Sequence, residues 1–326
     1  MSSDSRSPVT YEDVVEARRR IQSRVYRTPL DHSRQLSSDH ASYYLKLESQ
    51  QITKSFKVRG ALNKLSMLAA KKGRKQVVAV SSGNHGAGVS YAASSMTDID
   101  ATIFVPEVTP SSKIDKIKYY GASIRVEGED FNEALKIGRS YCRRHGYTMV
   151  EPDSDLEVIA GQGTIAQEIL DQNPAIDTII VPVGGGGLIT GIGVAARQLR
   201  PDITIIGVQT AACPAFIRSL EDDELYEEFP IGDSICEGLV GGIGEIPFQM
   251  AGECIDEIIE VSEKSIRRAV PYIIGEEKAV AEPAGAAGVA AVRENPYQFG
   301  GEEIAIIVSG GNIDASLIKK LFNEAY

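Results

Sequence analysis

Residues 178–199, TIIVPVGGGGLITGIGVAARQL, decide the class of fold. The first six residues are apolar and rich in β-branched side chains, which predicts a short buried strand. Four consecutive glycines follow, and apolar residues then recur at helical spacing. The first 19 residues carry no charge, but Pro182 and six glycines interrupt them, so a strand, a turn and a helix are favoured over a membrane span.

The same alternation of strand and helix extends over most of the chain. Short β-branched runs predict seven buried strands, at 77–81, 101–105, 123–127, 178–183, 203–208, 257–261 and 303–308. Helical spacing marks residues 132–145 and 158–170. The pattern predicts an α/β fold with open, twisted, mostly parallel sheets and helices on both faces. Because no linker is visible, we expect a small inserted domain, 76–150, within a large domain formed by 1–75 and 151–326.

Composition and charge exclude several classes of protein. The 326 residues are 43% apolar and carry a net charge of −11, so the chain can bury a core but has no general attraction for nucleic acid or anionic membranes. The first 20 residues show no apolar segment typical of a signal peptide. The scattered cysteines lack the spacing of a zinc site or a disulfide framework; they are Cys142, Cys213, Cys236 and Cys254. We therefore expect a cytoplasmic protein that binds neither nucleic acid nor membrane.

The glycine run is the first candidate site; its members are Gly184, Gly185, Gly186 and Gly187. Consecutive glycines let backbone N–H groups converge, and the positive end of the following helix attracts anions, so a phosphate site is predicted. A dinucleotide site is disfavoured because Gln209 stands where an acidic ribose ligand is required. A purely structural turn is the alternative.

Two more turns at strand ends and one lysine are further candidate site residues. SSGNHG at 81–86 and SGGN at 309–312 each follow a predicted strand, and such strand ends can meet in one crevice. The first turn offers hydroxyls, an amide and N–H groups to an anion such as a substrate carboxylate, or merely a helix cap. Lys57 opens an amphipathic helix, where a cation is electrostatically unusual, although an incidental surface lysine is the alternative. A lysine, a phosphate cradle and polar strand ends together make a pyridoxal 5′-phosphate site.

Four motifs occur in the order and spacing of a known enzyme family. They are SFKVRGA at 55–61, SSGNHG at 81–86, the glycines at 184–187 and SGGN at 309–312, supported by RTPL at 27–30, DFN at 130–132, AGQGT at 160–164 and AEPAG at 281–285. The whole chain resembles the fold-type II pyridoxal phosphate enzymes, which are tryptophan synthase β-like. Within them it resembles the threonine and serine dehydratase and serine racemase branch. The resemblance implies no C-terminal regulatory domain, since the chain ends soon after the last motif.

The resemblance also implies roles for individual residues. Lys57 would hold the cofactor covalently and take the substrate α-proton, with Phe56 against the pyridine ring. The other implied cofactor contacts are Asn84 at the 3′-oxygen, Gly184, Gly185, Gly186 and Gly187 at the phosphate, Ser309 at the pyridine nitrogen, and Gly238 and Glu282. The implied substrate contacts are Ser81, Ser82, Gly83, Asn84 and His85. A neutral hydroxyl at the pyridine nitrogen suits β-elimination better than transamination.

Three departures from the family pattern matter. Many catabolic threonine dehydratases have alanine where this chain has Ser82, whereas racemases use the matching serine as the acid and base opposite the lysine. Where metal-binding racemases place two acidic residues and a carbonyl donor, this chain has Gln209, Ala215 and Cys213, so no metal site is expected. Ala87 also replaces a frequent glutamine.

The expected activity is dehydration and deamination of a β-hydroxy L-amino acid to a 2-oxo acid and ammonia. We expect the enzyme to be a homo-oligomer, namely a dimer. L-threonine and L-serine are the expected substrates, with hydroxyaspartate or phenylserine as alternatives. Two other functions stay open: an amino-acid racemase that uses Lys57 and Ser82, and a non-enzymatic nucleotide sensor in which Lys57 is incidental.

Overall fold

A computed structural model describes residues 7–296 and 298–325. The strands of the described chain are β1 (Leu30–Ser33), β2 (Ser42–Lys46), β3 (Lys75–Val80), β4 (Ile99–Val105), β5 (Ser123–Val126), β6 (Thr148–Met149), β7 (Thr178–Pro182), β8 (Thr204–Thr210), β9 (Glu257–Val261) and β10 (Glu303–Ile307). The helices are α1 (Tyr11–Ile21), α2 (Lys57–Ala69), α3 (Asn84–Ser94), α4 (Ser111–Tyr119), α5 (Phe131–His145), α6 (Leu156–Gln172), α7 (Gly187–Leu199), α8 (Ala215–Asp222), α9 (Glu245–Cys254), α10 (Glu263–Gly275), α11 (Pro283–Glu294) and α12 (Ala315–Ala325), with a 3₁₀ helix at Glu48–Gln50.

The strands form two sheets. One has six strands in the order β1-β2-β10-β7-β8-β9, and the other has four in the order β5-β4-β3-β6. Every neighbouring pair is parallel except β1 with β2. The α/β class with mostly parallel sheets is therefore confirmed, as are all seven predicted strands.

Helices cover both faces of the larger sheet. Along β10, Ala305 and Ile307 pack into the core that contains α6 and α7, whereas Ile304 and Ile306 pack into the core with α10 and α11. Alternate side chains of a strand point to opposite faces, so a strand covered on both faces has to be apolar throughout. This is why β7 and β10 read as uninterrupted apolar runs.

The smaller sheet has a core of its own. Its strands lie between residues 75 and 149, within one residue of the predicted insertion. Helix α2 lies before that insertion in sequence, yet Leu62 and Leu65 share a buried cluster with Val77 and Ile103 of the small sheet. The domain boundaries stay a prediction. No helix among the described residues is long and apolar enough to cross a membrane.

Candidate active site

Lys57 is the first residue of α2, and its amine is directed at a carboxylate. The Nζ atom donates to Asp153 Oδ1 at 2.8 Å and to the carbonyl oxygen of Pro152 at 3.3 Å. It also lies 5.1 Å from the centre of the Phe56 ring. The Lys57 side chain is only 16% exposed, so this amine is not that of an incidental surface lysine.

The segment that carries Lys57 is attached to the turn after β10. Ser55 and Gly310 form an isolated β-bridge, and the Phe56 N–H donates to the Ser309 carbonyl oxygen at 3.1 Å. Phe56 and Ser309 are both buried. The structure therefore brings the SFK and SGGN motifs together, as the sequence predicts.

The four glycines form the turn between β7 and α7, and the turn has no room for side chains. A β-carbon on Gly185 would lie 2.6 Å from Asp153 Oδ2, and one on Gly184 would lie 2.7 Å from the carbonyl oxygen of Gly238. Gly186 has a φ of +95°, which L-residues rarely adopt. The Asp153 carboxylate thus touches both Lys57 and the glycine turn, so the lysine and the turn lie in one site.

Asn84 begins α3 and is held from both sides. Its Nδ2 donates to Glu282 Oε1 at 2.7 Å, and its Oδ1 accepts from Nδ2 of Asn312. Burial raises the pKa of Glu282 to about 7, while Asn84 and Lys116 oppose that rise. Lys116 of α4 donates in turn to Oδ1 of Asn312. Asn84 is therefore oriented by groups from both parts of the chain.

The first three residues of the SSGNHG motif precede α3 without a side chain that caps it. Gly83 occupies the N-cap position of α3, and no side chain caps that helix. The Ser81 hydroxyl accepts from the Gly83 N–H at 3.2 Å, and Ser82 shows no side-chain hydrogen bond among the described residues. The alternative in which a serine caps α3 is therefore wrong, and the Ser82 hydroxyl is available to a ligand.

His85 is buried and neutral. Its Nε2 lies 2.8 Å from the Val150 carbonyl oxygen, while Nδ1 has no partner among the described residues. Burial and the charge of Lys57 lower the pKa of His85 to about 4. Because a carbonyl only accepts, Nε2 carries the proton and Nδ1 is an acceptor. The predicted contact of His85 with a substrate carboxylate stays a prediction, and this tautomer does not favour it.

Asp153 and Lys116 are site residues that the sequence analysis missed. Asp153 comes four residues after the end of β6, a strand of only two residues. A longer apolar run at residues 148–149 would have predicted a strand, and Asp153 would then have been recognised as a polar residue just after a strand end, like those of SSGNHG. Lys116 lies on helix α4, where nothing in the sequence distinguishes it from the neighbouring lysines, Lys113 and Lys118.

The positions that correspond to the racemases' metal site serve another purpose in this chain. Gln209 Oε1 accepts from the backbone N–H groups of Phe216 and Ile217 at 3.0 and 3.1 Å, and so holds the first turn of α8. Ala215 is buried, and Cys213 Sγ accepts from the Gly241 N–H. Within residues 7–296 and 298–325 there is no group of three or more histidine, cysteine or acidic side chains that could hold a metal ion.

These groups fit a phosphorylated carbonyl cofactor. A β-carbon on Gly184, Gly185 or Gly187 would lie within 3 Å of neighbouring atoms, so only glycines fit this turn at the N-terminus of α7, as in an anion cradle built from backbone N–H groups. The Asp153 carboxylate that contacts this turn also accepts a hydrogen bond from the Lys57 amine. The buried Nδ1 of His85 has no partner in the described protein. The predicted cofactor contacts, residues 56, 57, 84, 184–187, 238, 282 and 309, stay a prediction.

A doubly covered α/β fold with a lysine beside a phosphate cradle defines the class of enzymes that use pyridoxal phosphate. Residues 21–310 match the family described as pyridoxal-phosphate dependent enzyme, and the chain belongs to that family. It is similar to the L-threonine ammonia-lyase of Thermotoga maritima, with 41% identity over 97% of this chain and 79% of the relative. Among solved structures it is similar to maize serine racemase, with a TM-score of 0.89, 30% identity and coverage of 97% and 98% of the two chains. It is also similar to the threonine deaminase isoform 2 of Solanum lycopersicum, with a TM-score of 0.89, 31% identity and coverage of 100% and 90% of the two chains.

Proposed function

We propose that this enzyme is an ammonia-lyase that converts a β-hydroxy L-amino acid, L-threonine or L-serine, to a 2-oxo acid and ammonia. The similarity to an L-threonine ammonia-lyase at 41% identity supports the reaction class. The observation that carries the proposal is the Lys57 amine, held 2.8 Å from a carboxylate that also packs on the four-glycine turn. In the overall reaction the α-proton and the β-hydroxyl leave as water, and hydrolysis of the enamine product releases ammonia.

Each residue of the site has a defined task in this proposal. Pyridoxal phosphate, when bound, supplies the carbonyl that joins an amine and the ring that accepts an electron pair. The N–H groups of the glycine turn would bind its phosphate, and Asn84, fixed by Glu282 and Asn312, would bind its 3′-oxygen. The Lys57 amine takes the α-proton, and the Phe56 side chain beside it keeps water away.

The substrate carboxylate has a suitable place at the start of α3. The hydroxyls of Ser81 and Ser82 and the backbone N–H groups around Gly83 lie at a helix N-terminus whose donors no side chain caps. Uncapped N–H groups at that end attract an anion. These donors would orient the amino acid with its α-carbon towards Lys57.

Racemisation is the second candidate function, and one observation supports it. The Ser82 hydroxyl has no hydrogen bond among the described residues, so it is free to exchange a proton at the α-carbon. The similarity to maize serine racemase agrees with that possibility. We favour elimination, because a glutamine and an alanine, Gln209 and Ala215, stand where the metal-binding racemases have acidic residues.

Replacing Lys57 with alanine tests the proposal directly. The purified enzyme should show a visible absorbance band that borohydride abolishes, with mass added at Lys57. It should also release a 2-oxo acid from L-threonine or L-serine. Lys57→Ala should lose the band and at least about 1,000-fold in turnover together, because one amine serves both tasks. Lys71→Ala, an exposed lysine just after α2, is the matched control. Turnover that survives without the band would contradict the assignment, and chiral chromatography of serine would detect racemisation.

We further propose that the enzyme is a cytoplasmic homodimer and that residues 76–150 form a domain of their own. The small sheet, whose strands lie between residues 75 and 149, supports the division. The net charge of −11 and the four buried thiols agree with a reducing cytoplasm. Light scattering at micromolar concentration should give a mass of two chains.

A further inference from the structure

The carboxylate of Asp153 is directed into the active site. Oδ1 lies 2.8 Å from Lys57 Nζ, and Oδ2 packs where a β-carbon of Gly185 would otherwise be. The side chain is only 23% exposed. The family resemblance gave no role to this position, and the proposed roles of the cofactor and the substrate carboxylate do not use it.

The charges around Asp153 leave it as a local source of negative potential. Lys57 is its ion-pair partner, but in the proposed reaction that amine is committed to the α-proton. His85 is uncharged at neutral pH, since burial lowers its pKa to about 4. Two lysines of α4 are held elsewhere, Lys113 by Glu237 and Lys116 by Asn312. A second anionic group entering beside Lys57 would therefore meet Asp153 without a free cation among these groups to balance it.

Simple geometry places the substrate side chain near this carboxylate. A base that takes the α-proton lies about 3 Å from the α-carbon, and a substituent on the β-carbon lies about 2.5 Å from the α-carbon on ordinary bond lengths. The β-substituent is thus within about 6 Å of Lys57 Nζ, which itself is 2.8 Å from Asp153 Oδ1. Asp153 is close enough to distinguish a neutral β-substituent from an anionic one.

We propose that Asp153 is a specificity-determining residue that restricts the enzyme to amino acids with an uncharged side chain and excludes acidic ones such as hydroxyaspartate. This inference rests on the proposed function for the position of the substrate, and it selects among the substrates that the sequence leaves open. The β-substituent can then lie up to about 9 Å from Asp153, and two like charges about 6 to 9 Å apart at an effective dielectric constant of about 20 correspond to roughly a 20- to 100-fold effect, which solvent in a partly open cleft reduces. We expect a discrimination of about 10- to 100-fold.

The test compares charge-matched ligands in the wild-type holoenzyme and in Asp153→Asn, which keeps the size of the side chain. Calorimetry measures the binding of L-asparagine and L-aspartate, which have nearly the same shape and lack a β-hydroxyl to eliminate. Wild type should bind L-asparagine about 10- to 100-fold more tightly than L-aspartate, and Asp153→Asn should bring the two dissociation constants within about threefold. In parallel, kcat/KM for 3-hydroxy-L-aspartate relative to L-threonine should rise by a similar factor.

Two further variants serve as controls. Glu151→Gln removes a negative charge from the same segment, but that side chain pairs with Arg139 at the surface, so both ratios should stay at the wild-type value. Asp153→Ser should repeat the effect of Asp153→Asn if the asparagine variant melts at a lower temperature. Equal binding of the two ligands by wild type, or ratios that Asp153→Asn and Asp153→Ser leave unchanged, would overturn the inference. Failure of wild type to release a 2-oxo acid from L-threonine and L-serine would instead refute the proposed function. The ratio of the two dissociation constants would still test whether Asp153 discriminates against an anionic side chain.

Discussion

Ser82 is the residue that separates the two candidate activities. It stands where many catabolic threonine dehydratases have alanine, and the structure leaves its hydroxyl free at the entrance to α3. A hydroxyl in this place can hold the substrate carboxylate, or it can exchange a proton with the α-carbon from the side opposite Lys57. These two tasks leave different kinetic signatures.

Ser82→Ala should raise KM for L-threonine by about 10- to 100-fold with little change in kcat, since one hydrogen bond from a hydroxyl to a charged carboxylate is lost in ground state and transition state alike. The free energy of unfolding should change by no more than about 0.5 kcal/mol, because the hydroxyl caps no helix. Steady-state kinetics and urea unfolding measure the two effects. Ser94→Ala, near the far end of the same helix, is the matched control.

The same variant decides whether Ser82 acts as an acid. Rapid formation of D-serine by wild type that disappears in Ser82→Ala, with elimination retained, would reverse our preference in favour of racemisation. A variant that loses both activities equally would show that the hydroxyl positions the substrate for either reaction.

At the scale of elements, a buried charge cluster fixes the first turn of α2. Arg59 is fully buried and donates to both carboxylate oxygens of Glu48 and of Glu168, at 2.7 to 2.9 Å. Lys46 of β2 donates to the same Glu168 at 2.7 Å. The 3₁₀ helix, α2, α6 and β2 meet in this cluster. Because Arg59 is two residues from Lys57, the cluster also determines where the reactive amine lies.

Arg59→Met should lower the free energy of unfolding by about 3–5 kcal/mol, because two buried carboxylates lose the guanidinium that they share while the volume is kept. Urea unfolding of the variant measures the loss. Arg74→Met is the control, since Arg74 makes an equally close pair with Asp100 on the surface, and solvent-exposed pairs contribute little. If both variants lose the same stability, burial of the cluster is not what matters.

The predicted strands are those with runs of β-branched residues, and they include β5 and β9, which are partly exposed. The apolar strands β7, β8 and β10 are buried on both faces and can be recognised from composition alone. The strands that escaped recognition are β1, which mixes exposed and buried side chains, β2, which alternates, and β6, which has two residues. Their pairing depends on neighbours far along the chain, which a local pattern does not contain.

The residues of the candidate site likewise fall into those that the sequence predicts and those that only the structure reveals. Lys57 and the glycines could be found because a lysine at a helix start and a glycine run are rare local signals. Arg59 lies in the same motif as Lys57, but its burial depends on Glu168, which is distant in sequence. Asp153 likewise becomes a site residue only when α2 and the β7–α7 turn fold against it. Tertiary contacts, rather than motifs, identify such residues.

At the scale of the whole molecule, the site joins the two sheets. Asn84 follows β3 of the small sheet, whereas Glu282 and Asn312 belong to the part of the chain that carries the large sheet. A cofactor that binds Asn84 and the glycine turn together would connect both parts. Ligands that bind only the folded state stabilise it by RT ln(1 + [L]/Kd). Cofactor binding should therefore be visible in the melting temperature of the entire chain.

A chelator tests whether a metal ion contributes to that global stability. Added EDTA should leave the melting temperature within about 1 °C, because Gln209 is engaged in holding α8 and Ala215 offers no ligand. A bound divalent ion at a hundredfold excess over its Kd would add about 2.7 kcal/mol, and its removal would lower the melting temperature by several degrees in a chain of this size. Removal of pyridoxal phosphate is the positive control, and it should lower the melting temperature in the same assay. A drop on chelation comparable to the drop on cofactor removal would show that a metal site exists elsewhere in the chain.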